Sequence, residues 1–152
     1  MFALFSNTPS VTTSSDPSDP AIQTLAKRLS KAERPLILAG FEAARSNAGS
    51  SILHLAEAIG APVLTTYKGK GVVPETHPLS LGGAGLSPLA DAVMLGLIRR
   101  SDLILMIGYD PIEMRVGWRN PFGPAQKVIE VAPLADAVWY GNSVPCSIKA
   151  LV

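Results

Sequence analysis

The stretch that decides the fold is Ala61-Pro-Val-Leu-Thr-Thr-Tyr-Lys-Gly-Lys-Gly-Val-Val-Pro-Glu-Thr-His-Pro78. Residues 62–66 are short, apolar and β-branched, which is typical of a buried strand. The following residues cannot continue that strand, because two glycines weaken it and two prolines lack the amide donor that a ladder needs. The pattern predicts a strand that opens at its carboxyl end into a glycine-lysine loop. In open parallel sheets, ligands bind at that edge.

Strand and helix patterns alternate on both sides of this stretch. Apolar strands are predicted at 34–40, 102–108 and 127–131, with a fifth at 143–148 whose Pro145 suggests a sheet edge. Helices are predicted at 20–32, from a Ser46 or Asn47 cap to Gly60, and from 87 to 100. Residues 81–86 read as a second flexible stretch. The fold class is therefore α/β, a doubly wound, Rossmann-like and mostly parallel sheet of five to six strands with helices on both faces.

The composition predicts one domain of unusually low charge. The 152 residues carry 13 Lys and Arg against 12 Asp and Glu, a balance that argues against nucleic acid or an anionic membrane surface as a partner. The single cysteine excludes an internal disulfide and favours a cytoplasmic location, and no apolar run is long enough to span a membrane. Only 16% of the residues are charged, below the ~25% of an ordinary domain. We interpret the deficit as surface that other domains or subunits cover.

Two segments bear on domain organisation. Residues 1–19 have the composition of a flexible linker or tail, since Ser6 to Pro20 is mostly Ser, Thr, Pro, Asp and Asn. Residues 20–152 are then a single α/β domain. Within it, the helix at 89–98 is apolar nearly all round, which predicts burial on both sides and hence an interface on its outer face.

No motif in the chain identifies a catalytic centre. The Lys68-Gly-Lys-Gly71 run lacks P-loop spacing, and Gly83-Ala-Gly85 lacks the third glycine of a dinucleotide fingerprint. Either loop contacts a ligand or is merely a tight connection. Glu130, which ends the fourth strand, either accepts bonds from a ribose or is an exposed strand-end acid. His54, His77 and Cys146 show no partners in the pattern, so no catalytic or metal-binding residue is assigned.

Several segments together resemble the central domain of thiamine-diphosphate-dependent enzymes of the acetolactate synthase group. The resemblance covers about residues 20 to 148, and its specific part runs from Ala56 to Leu81. It also includes Arg34-Pro-Leu-Ile-Leu-Ala-Gly40, Leu81-Gly-Gly-Ala-Gly85, Asp102-Leu-Ile-Leu-Met-Ile-Gly108 and Lys127-Val-Ile-Glu-Val131.

The resemblance implies a non-catalytic scaffold. In that family the subunit adds a pyrimidine-binding and a diphosphate-binding domain, which carry the activating glutamate and the Gly-Asp-Gly…Asn metal motif. Thiamine diphosphate and Mg²⁺ would be bound by the full-length enzyme, a homo-oligomer that decarboxylates a 2-keto acid and transfers its two-carbon unit, and not by this chain alone.

Some family members hold FAD on the central domain. The resemblance implies the candidate contacts Gly40, Thr66, Tyr67, Lys68, Gly108 and Glu130. The chain departs from the FAD-binding pattern at two points. The run Gly108-Tyr-Asp-Pro-Ile-Glu-Met-Arg115 stands where those members have Arg-Phe-Asp-Asp-Arg, and Glu130-Val-Ala-Pro133 stands for Asp-Ile-Asp-Pro.

Three hypotheses follow. The first is the scaffold domain of a thiamine-diphosphate-dependent carboligase or decarboxylase. The second is an FAD-, NAD- or ADP-binding module of another enzyme, which would use Gly40, Lys68 and Glu130. The third is a stand-alone domain that dimerises through the helix at 89–98.

Overall fold

The structure is a computed structural model that describes residues 11–13, 16–110, 112, 114–118, 121–122, 127–132 and 147–149. These residues form one seven-stranded sheet in which every pair of neighbouring strands is parallel. The spatial order is β1-β7-β6-β5-β2-β3-β4. The strands are β1 (Val11–Thr13), β2 (Pro35–Ala39), β3 (Val63–Thr66), β4 (Ser80–Ala84), β5 (Leu103–Ile107), β6 (Lys127–Ala132) and β7 (Ser147–Lys149).

Four α-helices lie among the described residues. They are α1 (Pro20–Leu29), the short α2 (Phe41–Arg45), α3 (Gly49–Ile59) and α4 (Pro88–Arg100), and one 3-10 turn follows at Val116–Trp118. Proline stands at the first position of α1 and α4, where its missing amide costs nothing. Gly60 ends α3 with φ of 64°, the left-handed conformation that glycine adopts without strain.

Helices cover both faces of the sheet, which confirms the doubly wound fold. On one face, α1 and α3 bury Leu29, Ile52 and Ala56 against side chains of β2, β3 and β5. On the other face, Ile98 of α4 and Trp118 pack against the alternate residues of the same strands. The strands carry apolar side chains on both faces, as central parallel strands do.

The sheet has seven strands, two more than the five assigned from the sequence pattern and one more than the expected upper limit of six. β1 lies in the segment predicted to be a linker, and β4 replaces part of the predicted flexible stretch at 81–86. Both are edge strands, and each pairs with a single neighbour. Their sequences have a weak intrinsic strand preference, so the backbone hydrogen bonds to that neighbour determine that they are strands. The prediction that the last strand is an edge is also wrong, because β7 lies between β1 and β6. Pro145 itself lies outside the described residues.

The connection between β2 and α3 differs from the prediction as well. α2 was not foreseen, and α3 begins after Ala48 without a side-chain cap. Neither Ser46 nor Asn47 serves as the predicted cap. Asn47 instead has φ of 54° and turns the chain between the two helices, a conformation that asparagine tolerates better than most residues.

Candidate functional site

The chain changes direction across the sheet between β2 and β5. From β2 it proceeds to β3 and β4 on one side, and from β5 it proceeds to β6 and β7 on the other. The carboxyl ends of the two strands are followed by Gly40 and Gly108. In open α/β sheets this switch point is where a ligand crevice forms. Two of the six predicted contacts therefore meet at the expected place.

The backbones of the two strand ends are in close contact at this switch point. The Gly40 amide donates to the Ile107 carbonyl over 2.9 Å. A Cβ atom on Gly40 would lie 2.2 Å from the Gly108 carbonyl oxygen and 2.6 Å from the Tyr109 Cα, so only glycine permits the approach. The Gly108 carbonyl also accepts from the Glu42 amide in the first turn of α2. The Gly40 and Glu42 amides, which could otherwise donate to a phosphate, are thus already bonded to backbone carbonyls of the protein.

The glycine-lysine loop, residues 67–79, is anchored by a hydrogen bond, an ion pair and packing against the core. Thr66 is fully buried, and its hydroxyl accepts a bond from the Gly69 amide over 3.1 Å. Val73 lies in the core of the first face, so the loop covers part of the sheet as a crossover helix would. Lys70 is 3.5 Å from the Glu75 carboxylate. These three contacts, made by Gly69, Val73 and Lys70, hold the loop against the sheet.

Lys68 lies at the exposed edge beside two aromatic rings. Its ammonium is 5.8 Å from the Phe41 ring centroid and 5.9 Å from that of Tyr67. These are cation–π distances, and they hold the lysine over α2. Phe41 was missed in the sequence, although its position directly after Gly40 at a predicted strand end was a signal. Tyr67 and Lys68 are brought together here, next to the closed switch point.

Glu130 lies inside the sheet and not at an exposed end. It is the fourth residue of β6, where it is paired in register with Met106 of β5 and Ser147 of β7. Only 1% of its surface is accessible. The alternative that it is an exposed strand-end acid is therefore wrong.

The histidines do not form a catalytic pair. His54 is on the exposed side of α3. His77 has a partner that its sequence neighbours did not reveal, because its Nε2 is 3.3 Å from a Glu57 carboxylate oxygen and its Nδ1 accepts from the Leu79 amide. Among the residues that the structure describes, no three His, Cys, Asp or Glu side chains are grouped as a metal site would require. Cys146 lies outside them.

The two perturbed carboxylates lie away from the switch point, because Asp102 precedes β5 at the amino edge of the sheet and Asp16 follows the edge strand β1, which β7 and β6 separate from β5. Burial opposes ionisation of Asp102, but the amides of Glu33 and Arg34 bond its two oxygens at 2.8 and 2.9 Å, and the pKa of Asp102 lies below its ordinary value. The Ser18 amide, and then its hydroxyl, lower the pKa of Asp16. Asp16 fixes a local turn, and Asp102 joins the chain before β2 to the chain before β5, so both acids have a structural role.

An open depression of about 300 Å³ lies between the start of α3 and the glycine-lysine loop. Its lining consists of Ala44, Asn47, Gly49, Ser50, Lys70, Gly71 and Val72. The only ionisable group among them, Lys70, is paired with Glu75. The depression offers small side chains and backbone, without a convergent set of polar groups.

The chain matches a known protein family over most of its length. Residues 22–145 match the model of the family described as thiamine pyrophosphate enzyme, central domain.

None of the helices described here is long and apolar enough to cross a bilayer.

Three curated relatives agree with that match. A protein from Methanocaldococcus jannaschii named "probable acetolactate synthase large subunit" is 36% identical over 110 residues, which are 72% of this chain and 18% of the relative. The 2-hydroxyacyl-CoA lyase of Oryza sativa is 38% identical over 72% of this chain and 16% of its own. An acetolactate synthase from Mycobacterium bovis is 31% identical over 74% and 18%. The chain thus spans less than a fifth of these relatives.

A solved structure supports the same fold. An X-ray structure from Mycobacterium smegmatis, of a protein assigned as a thiamin diphosphate-dependent enzyme, superimposes with a TM-score of 0.57. The match covers 71% of this chain and 21% of that one, at 21% identity. With the family match over residues 22–145, these relatives show that the chain belongs to the central-domain family of thiamine pyrophosphate enzymes.

Proposed function

We propose that this chain is the non-catalytic central domain of a thiamine-diphosphate-dependent 2-keto acid carboligase or decarboxylase, of the acetolactate synthase type. In the full-length enzyme it would hold the neighbouring pyrimidine- and diphosphate-binding domains in place, with residues 20–152 as the domain. The observation that carries the proposal is the closed switch point. Gly40 and Gly108 are in close backbone contact at the edge where this fold ordinarily binds a cofactor.

Thiamine diphosphate and Mg²⁺ would be bound elsewhere in the full-length enzyme. A Mg²⁺-diphosphate site needs oxygen ligands that converge on one point. The described part of this chain has no cluster of acidic or other metal-ligating residues that fits this need. When bound, the cofactor would supply the carbanion chemistry for transfer of a two-carbon unit. We place the enzyme in the cytoplasm and expect it to be a homo-oligomer.

The described residues do not fit FAD or another adenine dinucleotide at the switch point. Gly40 and Gly108 are in close backbone contact, the cavity beside Gly108 has a volume of only about 10 Å³, and Glu130 is buried where a ribose would need an accessible acid. Only Tyr67 and Lys68 of the six candidate contacts lie at the accessible edge, and Lys68 is stacked on Phe41 and Tyr67. We propose that Gly40, Thr66 and Gly108 serve to close the sheet edge.

A domain exchange tests the proposal. Residues 20–148 would replace the matching segment of the Methanocaldococcus jannaschii relative, and acetolactate formation from pyruvate would be measured with thiamine diphosphate and Mg²⁺. We expect a rate within about tenfold of the parent, because a scaffold contributes position and not reacting groups. The same chimera with Lys68→Ala serves as the matched control and should be equally active. A chimera with native circular dichroism and the parent's oligomeric size but no activity would contradict the scaffold function.

Calorimetric titration of the 152-residue chain with FAD, NAD and ADP tests the nucleotide-binding alternative. We expect no heat of binding at millimolar ligand. A dissociation constant below about 100 µM for any of the three, which is a binding free energy of several kcal/mol, would favour the nucleotide-binding module instead.

A further inference from the structure

Positive charge is concentrated at the edge of the sheet where strands β2 and β5 begin. Helices α1 and α4 both end at this amino edge, because a helix that connects two parallel strands runs antiparallel to them. Each of the two helices has two basic residues in its last turn, and the chain between α1 and β2 adds two more. We call these six residues the amino-edge cluster: Lys27, Arg28, Lys31, Arg34, Arg99 and Arg100.

Asp102 joins the two halves of the amino-edge cluster. Its carboxylate accepts bonds from the amides of Glu33 and Arg34 at 2.8 and 2.9 Å, and its own amide donates to the Arg34 carbonyl. Arg100 comes two residues before Asp102, so the chain that follows α4 is fixed beside the chain that follows α1. Since α1 and α4 lie on opposite faces of the sheet, and packed layers are roughly 10 Å apart, the amino-edge cluster is about 20 Å across.

The cations of the amino-edge cluster lack the contacts that other basic side chains of the protein make. Outside the cluster, the basic side chains that the structure describes each contact a carboxylate, a carbonyl or aromatic rings: Arg45, Lys68, Lys70 and Arg115. Within the described part of the chain, no side chain of the cluster is in an ion pair or donates a hydrogen bond. Their charge is therefore available to another molecule.

The charge at this edge exceeds what the fold balances. The six cations of the cluster face two acids in the same turns, Glu33 and Asp102. The carboxyl ends of α1 and α4 add about −0.5 charge each, so a surplus of about three positive charges remains. The rest of the chain is negative, because the whole chain has a net charge of only +1. The surplus is confined to α1 and α4, since α3 has no basic residue in its last turn and its Glu57 is paired with His77.

A surface of this kind is unsuited to permanent cover by a neighbouring domain. Charged residues are depleted at the centre of permanent interfaces, and burial of a cation without a partner is costly. The outer side of α4 is the opposite case, because Leu89 and Val93 are uncharged and are 83% and 61% exposed. We therefore expect the amino-edge cluster to remain in water in the full-length enzyme.

The dimensions and composition of the amino-edge cluster favour a short acidic peptide segment as its ligand. A single phosphate or carboxylate bonds groups within about 3 Å of its oxygens and cannot reach both helix ends. An extended segment of six residues spans about 20 Å. Residues 27–34 and 97–102 include no aromatic ring on which a nucleic-acid base could stack, and the negative remainder of the chain would repel a longer polyanion.

We propose that the amino-edge cluster binds an acidic segment of a separate protein, about six residues long and rich in Asp and Glu. The contact is electrostatic and reversible, and it weakens as salt rises, because five of the six cations are exposed and are screened by ions. The proposal goes beyond the scaffold function, since it adds a partner outside the subunit.

Fluorescence anisotropy of a labelled hexaglutamate peptide, titrated with the 152-residue chain, tests the proposal. We expect a dissociation constant of about 50 µM at about 50 mM salt, and a complex at least about tenfold weaker at about 300 mM salt. The double variant Lys27→Gln with Lys31→Gln should weaken binding about fivefold or more, and so should Arg99→Gln with Arg100→Gln. The two variants lie on different helices, so each tests the cluster if the other fails to fold.

The matched control is Lys68→Gln with Lys70→Gln. It removes the same charge from the glycine-lysine loop, which follows β3 at the carboxyl edge, and the dissociation constant should change by less than about twofold. Unchanged circular dichroism would show that each variant is folded. A loss of affinity in this control equal to that of the cluster variants would mean that only total charge matters, which would overturn the proposal.

Three further measurements can contradict it. An absence of binding at about 1 mM hexaglutamate and about 50 mM salt would overturn the proposal. Tighter binding of hexathymidylate than of hexaglutamate would assign the cluster to nucleic acid instead. The chimera with the Methanocaldococcus jannaschii relative should bind hexaglutamate within about threefold of the 152-residue chain. An active chimera that does not bind the peptide would show that neighbouring domains cover the cluster, which would overturn this proposal and leave the scaffold function intact.

Discussion

The contact between Gly40 and Gly108 makes a specific prediction about stability. In Gly40→Ala the new methyl group would lie 2.2 Å from the Gly108 carbonyl oxygen and 2.6 Å from the Tyr109 Cα. Both atoms belong to the backbone, so no side-chain rotation can relieve the overlap. Gly40 has an extended backbone with φ of −106°, which means that alanine is not strained there by its own conformation. The substitution therefore reports on the closeness of the two strand ends alone.

The expected cost is about 3 kcal/mol, the upper end of the usual range for overpacking, because the ends of two central strands must separate. For a chain of this size that corresponds to a fall in the melting temperature of about 6–12 °C. The assay is urea unfolding followed by circular dichroism, with the denaturant slope compared between variants.

Gly117→Ala is the matched control. No atom lies within 4 Å of the position its Cβ would take, and its φ is not positive. We expect a change within about 1 kcal/mol, with stabilisation as the favoured sign because alanine reduces the entropy of the unfolded chain. If Gly40→Ala unfolds at the wild-type urea midpoint with the same slope, the switch point is not closed and the argument against a nucleotide there is refuted.

Two further predictions concern buried and hydrogen-bonded carboxylates. Asp91→Ala should cost about 1–3 kcal/mol in thermal melts, because the Gly85 amide is left without its acceptor, whereas Asp91→Asn should cost less since it keeps an oxygen. Equal costs for the two variants would contradict this reasoning. The lowered pKa of Asp102 means that its contribution to stability is present above the unfolded pKa and is lost as pH falls below about 4. Asp102→Ala should therefore destabilise the chain at pH 7 and have a smaller effect at pH 3 in urea unfolding; an equal loss at both pH values would count against it.

The apolar patterning of the chain was sufficient to predict the central part of the fold. The strands expected at 34–40, 62–66, 102–108 and 127–131 are present, and so are the helices that begin at Pro20 and Pro88. Of the run expected at 143–148, residues 143–146 lie outside the described residues, and β7 overlaps its end. These elements are locally consistent, because propensity, capping and burial favour the same structure. The family resemblance rested on the same segments, and the match over residues 22–145 confirmed it.

The edge strands and the candidate site depended on the tertiary structure. β1 and β4 are strands because a neighbour supplies their backbone bonds, which no local pattern of polar or glycine-rich residues encodes. A glycine after a strand end is compatible either with a ligand or with another backbone. Gly40 and Gly108 are 68 positions apart, and only the assembled sheet shows that the two are in close backbone contact.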